Sequence, residues 1–228
     1  VVCTPPRLPE TTRAMDFFYD LPYTRRAHPS YAEKIPAFEV VKDSVTIMRG
    51  CFGGCSYCSI TTHQGRIVQS RRHAWRVGGV EGMGKNDAFK GIVSDIGGPT
   101  ANMYRMRCTR PEVEAVCRRL SCVYPKVCKL LGTDHGPLKK IMREARSKPG
   151  VRKVFVASGV RMDLARKDPE YVRELAKHHV GGHLKVAQEH ASPKALKLMK
   201  RHGPEDFVEF GNLFKRESKA AGKDQYLV

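Results

Sequence analysis

Residues 44–59 read Ser-Val-Thr-Ile-Met-Arg-Gly-Cys-Phe-Gly-Gly-Cys-Ser-Tyr-Cys-Ser. A short β-type run, Ser44–Met48, leads directly into a loop with glycines at 50, 53 and 54 and cysteines at 51, 55 and 58. Glycines at these positions suit a loop that turns tightly and brings backbone close to a ligand. The cysteine spacing is C-x3-C-x2-C. Iron–sulfur clusters are held by cysteine thiolates, usually four. Three thiolates fill three corners of a cubane and leave one iron open to an outside ligand, much as a catalytic zinc keeps one position open. A structural zinc site would need a fourth ligand, and His63 stands five residues on; the spacing alone leaves that alternative open. Three incidental core cysteines fit poorly, because thiols in a glycine-flanked loop have no core to fill.

Further strands follow outward from this loop. Lys90–Asp95 is β-type and ends in Ile96-Gly97-Gly98-Pro99-Thr100, a strong turn signal. Lys153–Ser158 is continuously apolar after its first residue, the pattern of a strand buried on both faces. His183–Ala187 is a fourth candidate and Gln225–Val228 opens a fifth. Helical signals fall between them at Pro137–Arg146, Glu170–His179 behind an Asp168 cap, Lys194–Arg201, and Pro204–Lys219, where Phe207, Phe210 and Phe214 are spaced for core packing. Strand alternating with helix predicts a parallel α/β sheet. Ligands of such sheets sit at the carboxyl ends of the strands. Residues 1–43 show no periodicity and are expected to form an irregular N-terminal segment, with the core domain over 44–228. A crossover helix is expected within 64–89 from topology alone. The first residue is not Met and the last four look like the start of a strand, so both ends look cut.

A second cysteine group, Cys108, Cys117, Cys122 and Cys128, lies in a cysteine-rich insertion, 105–132. Its spacings match no standard zinc signature, yet four thiolates suffice for a second cluster or a zinc ion. Cys117 also falls in a helix-like run, Pro111–Leu120, where it would pack as a small hydrophobe. Thr133-Asp134-His135 reads as a helix cap before acid–base chemistry.

The chain carries eight cysteines in 228 residues and a formal net charge of +18. No secretory signal or membrane-length apolar run is visible. Clustered cysteines without a secretion signal point to metal in a reducing compartment, and a cytoplasmic location is expected. The charge makes nucleic acid a candidate partner, although aromatics are only 8% of the chain.

Taken with Arg49–Ser59, the segments Asp20–Pro29, Ser94–Tyr104, Leu131–His135, Val156–Arg161 and His178–His190 resemble the YgiQ-type family of radical S-adenosylmethionine proteins. The resemblance covers most of the chain outside about 66–89. It implies a partial (β/α)6 TIM-like barrel, here truncated near the fifth strand. It implies a [4Fe-4S] cluster on Cys51, Cys55 and Cys58, with S-adenosylmethionine chelated to the open iron and cleaved reductively to a 5′-deoxyadenosyl radical that abstracts hydrogen from substrate. It places Tyr57 on the adenine, Gly97-Gly98-Pro99 at the cofactor's amino group, and Ser158 and Arg161 near its ribose or carboxylate. Glu189 and His190 would line the pocket, and a donor such as flavodoxin or ferredoxin would supply the electron. Gln188 stands where the resemblance leads one to expect proline. Set against this enzyme are a metal-stabilised nucleic-acid-binding module and, combining the two, an RNA-modifying enzyme.

Overall fold

The computed structural model describes residues 2, 9–72, 83 and 89–228. Eight short strands are β1 (Ser44–Thr46), β2 (Met48–Arg49), β3 (Gln69–Ser70), β4 (Ile92–Val93), β5 (Asp95–Gly97), β6 (Lys153–Val154), β7 (His183–Leu184) and β8 (Tyr226–Leu227). β1 pairs in parallel with β5, placing Val45 beside Ile96. β4 and β5 flank Ser94, and β4 pairs in parallel with β6. Ile96 N donates to Phe155 O at 3.0 Å, which carries that pairing onward. Val156 N donates to His179 O, and Val160 bridges Val186 in parallel. β7 pairs in parallel with β8. Spatial order therefore follows chain order, as expected of consecutive βα units. β2, just before the cysteine loop, and β3, after it, form a separate antiparallel pair.

The strands are held by a spine of buried Val45, Ile47, Val93, Ile96, Val154, Val156, Leu184 and Val186. Helix Gly136–Arg146 lays Leu138, Ile141, Met142 and Ala145 on this core, the i, i+3, i+4, i+7 stripe of an amphipathic helix. Helix Pro204–Ala220 buries Phe210 and Phe214, with Phe207 partly buried beside them. Helix Pro169–Glu174 starts where Asp168 accepts a hydrogen bond from Tyr171 N, the expected cap. No helix among the described residues is long and apolar enough to cross a membrane.

Three expectations need correction. The N-terminal segment is not irregular throughout: it holds helices Thr12–Asp20 and Pro36–Val41. The first buries only Met15 and Asp16, too thin a stripe to register as periodicity, and Asp16 is held by Arg72 at 2.6 Å. The third strand is not buried on both faces. Val154 and Val156 are buried while Phe155 is partly exposed and Ala157 exposed, so the run alternates despite its apolar composition. The helical run from Pro111 ends at Val116, leaving Cys117 as its extended cap. Most of the residues expected to form the crossover helix lie outside the described residues.

Candidate cluster and cofactor site

The cysteine loop leaves β2 and enters the short helix Ile60–His63. It is pinned along its length. Cys51 N donates to Gly65 O at 3.1 Å, and Thr61 Oγ1 donates to Cys51 O at 3.0 Å. Gly54 has φ +63°, and a Cβ there would run into the carbonyl of Leu120, so this position takes glycine for both reasons. Ser121 Oγ donates to Gly53 O at 2.6 Å and Cys122 N to Phe52 O at 2.9 Å. From the far end of the chain, Ser56 N donates to Met199 O at 3.2 Å and Ser56 Oγ to Leu198 O at 2.7 Å.

All three thiols are free and partly buried. Cys51 Sγ accepts from Gly53 N at 3.4 Å and stands 3.8 Å from Thr100 Oγ1. Burial pushes its thiol up, against the pull of the Gly53 amide, Thr100 and Arg161. Cys55 Sγ is faced by two guanidinium groups, Arg201 Nη1 at 3.5 Å and Arg161 Nη1 at 4.0 Å. Arg161 is only 3% exposed. Its Nε and Nη2 grip Asp163 at 3.0 and 2.7 Å. Burial works against the Arg161 cation, and Asp163 more than offsets it. Asn102 fixes its backbone, accepting from Arg161 N at 2.8 Å and donating to Arg161 O at 3.0 Å.

The other expected cofactor residues divide. Tyr57 is half-exposed, and burial, joined by Cys55 and Glu189 and opposed by Arg201, pushes its phenol up, so it is neutral. Glu189 adopts φ +68° immediately after Gln188. Gly97 and Gly98 allow close approach: a Cβ would lie 2.6 Å from Ser158 Oγ and 2.6 Å from Met48 O, respectively. Pro99 follows them directly, and Thr100 beyond it reaches Cys51. Ser158 does not point free to a ligand, because its hydroxyl is bonded to Asp95 Oδ2 while Asp95 Oδ1 accepts from Ala157 N and Ser158 N. Asp95, too, is therefore committed to the neighbouring strand end. His190 is exposed and its Nδ1 accepts from Ser192 N at 2.8 Å, a local turn contact. Arg201, Asp163 and Asn102 escaped the sequence reading. They carry no motif, and only the fold brings them to the loop; Thr100 was legible, directly after the glycine turn.

Among the described residues, no three Cys, His, Asp or Glu side chains converge to share one metal ion. A single zinc on the loop cysteines and His63 is thus not built here. A cubane gives each thiolate its own iron, so it needs no such convergence on one point. The free thiols, the amide on Cys51 and the two guanidinium groups on Cys55 are a donor set that fits an anionic, thiolate-held cluster. In the second group, Cys122 Sγ accepts from Arg66 Nη1 at 3.2 Å, and Arg66 Nη2 donates to Cys117 O at 3.3 Å. Burial pushes the Cys122 thiol up; Arg66 pulls it down, while Cys128 and Cys117 add to the rise. Cys108 instead lies in a bridge to Leu131, with its amide donating to Glu114. These four thiols form no single-ion site either.

The sequence profile of the Radical SAM superfamily matches residues 45–228, and that of the Radical SAM N-terminal family matches residues 1–44. The chain is 52% identical over 227 residues to a UPF0313 protein of Chromobacterium violaceum, covering 99% of this chain and 30% of that protein. It is 50% identical over 226 residues to UPF0313 protein YgiQ of Salmonella typhimurium, covering 98% of this chain and 31% of that one. The chain thus spans about a third or less of the length of these relatives. Among solved structures it is similar to OxsB, a cobalamin-dependent S-adenosylmethionine radical enzyme, with a TM-score of 0.55 and 14% identity over 81% of this chain and 23% of that one. That likeness supports the α/β fold.

Proposed function

The chain belongs to the Radical SAM superfamily, and on that premise we propose that it is the cluster-bearing part of an enzyme that cleaves S-adenosylmethionine reductively. The observation that carries this reading is the loop of Cys51, Cys55 and Cys58 at the carboxyl end of the first strand segment, with two buried guanidinium groups turned onto one sulfur. Cys51, Cys55 and Cys58 would hold a [4Fe-4S] cluster, which would supply the electron for reductive cleavage of S-adenosylmethionine to methionine and a 5′-deoxyadenosyl radical.

The chain's own residues hold and shield. Tyr57, neutral and half-exposed, offers a ring face to the adenine. Gly97 and Gly98 let Ser158 and Met48 pack closely against the turn, which would hold the Gly97-Gly98-Pro99 backbone in place for the cofactor's amino group. Arg161 is a weaker candidate for the cofactor carboxylate than its sequence position implies, because Asp163 occupies two of its nitrogens. Ser158 acts by fixing the strand end through Asp95. The consecutive parallel units support continuation into a (β/α)6 barrel. A small donor such as flavodoxin or ferredoxin, in a reducing compartment such as the cytoplasm, completes the reading.

The test is anaerobic reconstitution of the full-length protein. It is expected to turn brown, bind iron and sulfide in cluster proportion, and release 5′-deoxyadenosine with dithionite and S-adenosylmethionine. The combined Cys51→Ala, Cys55→Ala, Cys58→Ala variant is expected to lose that product, and any iron it keeps would belong to the second cysteine group. A colourless protein holding zinc would overturn the proposal.

A further inference from the structure

Arg201 is 8% exposed. Among the described residues it makes no ion pair with a carboxylate, and its one side-chain hydrogen bond is from Nη1 to Cys55 Sγ at 3.5 Å. Burying a guanidinium without a counter-charge costs several kcal/mol, so such a residue persists where an anion answers it. Asp163 is not available in full, because Arg161 holds both of its oxygens. A neutral thiol is a poor partner for a cation, whereas a thiolate ligating iron is an anion at that atom.

The backbone delivers Arg201 to this point deliberately. Lys200 adopts φ +56°, and Arg201 N donates to Leu196 O at 2.8 Å, closing the end of helix Pro193–Leu198. The same turn contributes the Leu198 and Met199 carbonyls that fasten Ser56, next to Cys55. The backbone that carries Arg201 is therefore tied to the loop its guanidinium faces.

We infer that Arg201 is the positioning residue that sets the reduction potential of the cluster, by placing on the Cys55 sulfur a positive charge that no carboxylate meets at ion-pair distance among the described residues. The inference rests on the cluster reading above. Hydrogen bonds and charge at the ligand sulfurs are among the main determinants of such potentials, and a cation beside the ligand favours the reduced, more negative state. Arg161 acts on the same sulfur more weakly, from 4.0 Å and with its charge balanced by Asp163.

The experiment is a redox titration of the reconstituted full-length protein, followed by the electron paramagnetic resonance signal of the reduced cluster, without S-adenosylmethionine. Wild type, Arg201→Gln and Arg201→Lys are compared, with iron and sulfide content and far-ultraviolet circular dichroism measured on each. Arg201→Gln is expected to keep its cluster and to lower the reduced-to-oxidised ratio at a fixed poise about tenfold, a shift of about 59 mV for one electron. Arg201→Lys, which keeps the charge, is expected to recover most of that shift. Equal potentials in wild type and Arg201→Gln would overturn the inference. So would a Lys variant that behaves as the Gln variant does, or a difference that appears only when S-adenosylmethionine is added. A wild-type protein with no cluster signal would instead overturn the cluster reading itself.

Discussion

Cys55 is the most elaborately served atom of the loop, and the residue behind its service is Asp163. That carboxylate is buried, holds Arg161 through two bonds, and stands 3.4 Å from His202 Nε2. Burial works to raise its pKa, and Arg161 outweighs it, so the group is ionised. Asp163→Ala would strand a buried guanidinium. Breaking a buried pair from one side costs about 3–5 kcal/mol, and a loss of that size is expected in urea unfolding of the apo protein. An unchanged midpoint would show that solvent reaches Arg161. Of these residues the cysteines were legible from spacing alone, because each thiol lies within eight positions of the others. Asp163 and Arg201 were not. Their chemistry depends on a loop more than a hundred positions earlier, and no local pattern encodes that distance.

Elements were legible where composition and geometry agree. Helices Gly136–Arg146 and Pro204–Ala220 and the strand starts at 44, 153 and 183 fall within a residue of where periodicity and turn residues place them, and the strands starting at 92 and 226 lie inside the expected runs Lys90–Asp95 and Gln225–Val228. Helix Thr12–Asp20 was missed because its stability comes from Asp16 meeting Arg71 and Arg72, a tertiary contact. The junction before helix Gly136–Arg146 holds a second hidden group. Asp134 Oδ1 accepts from Gly136 N at 2.7 Å in a local turn one residue before the cap, and His135, the cap itself, makes no side-chain capping bond and sinks fully into the core. Its ring stacks on Tyr171 with centroids 4.4 Å apart, and its Nε2 lies 3.3 Å from Asn102 Nδ2. Burial lowers its pKa to about 4, despite Asp168 nearby. The folded ring is thus neutral where the unfolded one, near 6.5, takes up a proton. The unfolded state binds more protons between those values, so stability falls as pH drops from about 6.5 to about 4, by up to about 3 kcal/mol, and this contribution changes no further below that. Thermal midpoints across pH 7 to 4 are expected to flatten in His135→Gln relative to wild type. Glu174 acts in a separate, lower window. Burial raises it, hydrogen bonds from His179 and Arg143 outweigh that, and its carboxyl is held down to about 2. Its contribution is present above its ordinary value near 4.5 and lost as pH falls toward 2.

At the scale of the whole molecule, the +18 charge is spread along the chain. A spread charge attracts polyanions without reading sequence. Fluorescence anisotropy at rising salt is expected to show single-stranded RNA binding no more tightly than heparin, with both released steeply. RNA retained at salt that frees heparin would revive the nucleic-acid reading. The cysteine loop also has a place in time. Its thiols are made before their fastenings, which arrive later in the chain: Ser121 and Cys122 from one side, then Leu198, Met199 and Arg201 from the other. A chain emerging from the ribosome offers three cysteines on an unfastened loop for some 140 further residues. The scaffold that holds them is completed only when the turn after helix Pro193–Leu198 has been synthesised. Iron delivered before then would meet a loop without these fastenings, so loading of the proposed cluster belongs after the turn that follows helix Pro193–Leu198 has left the ribosome.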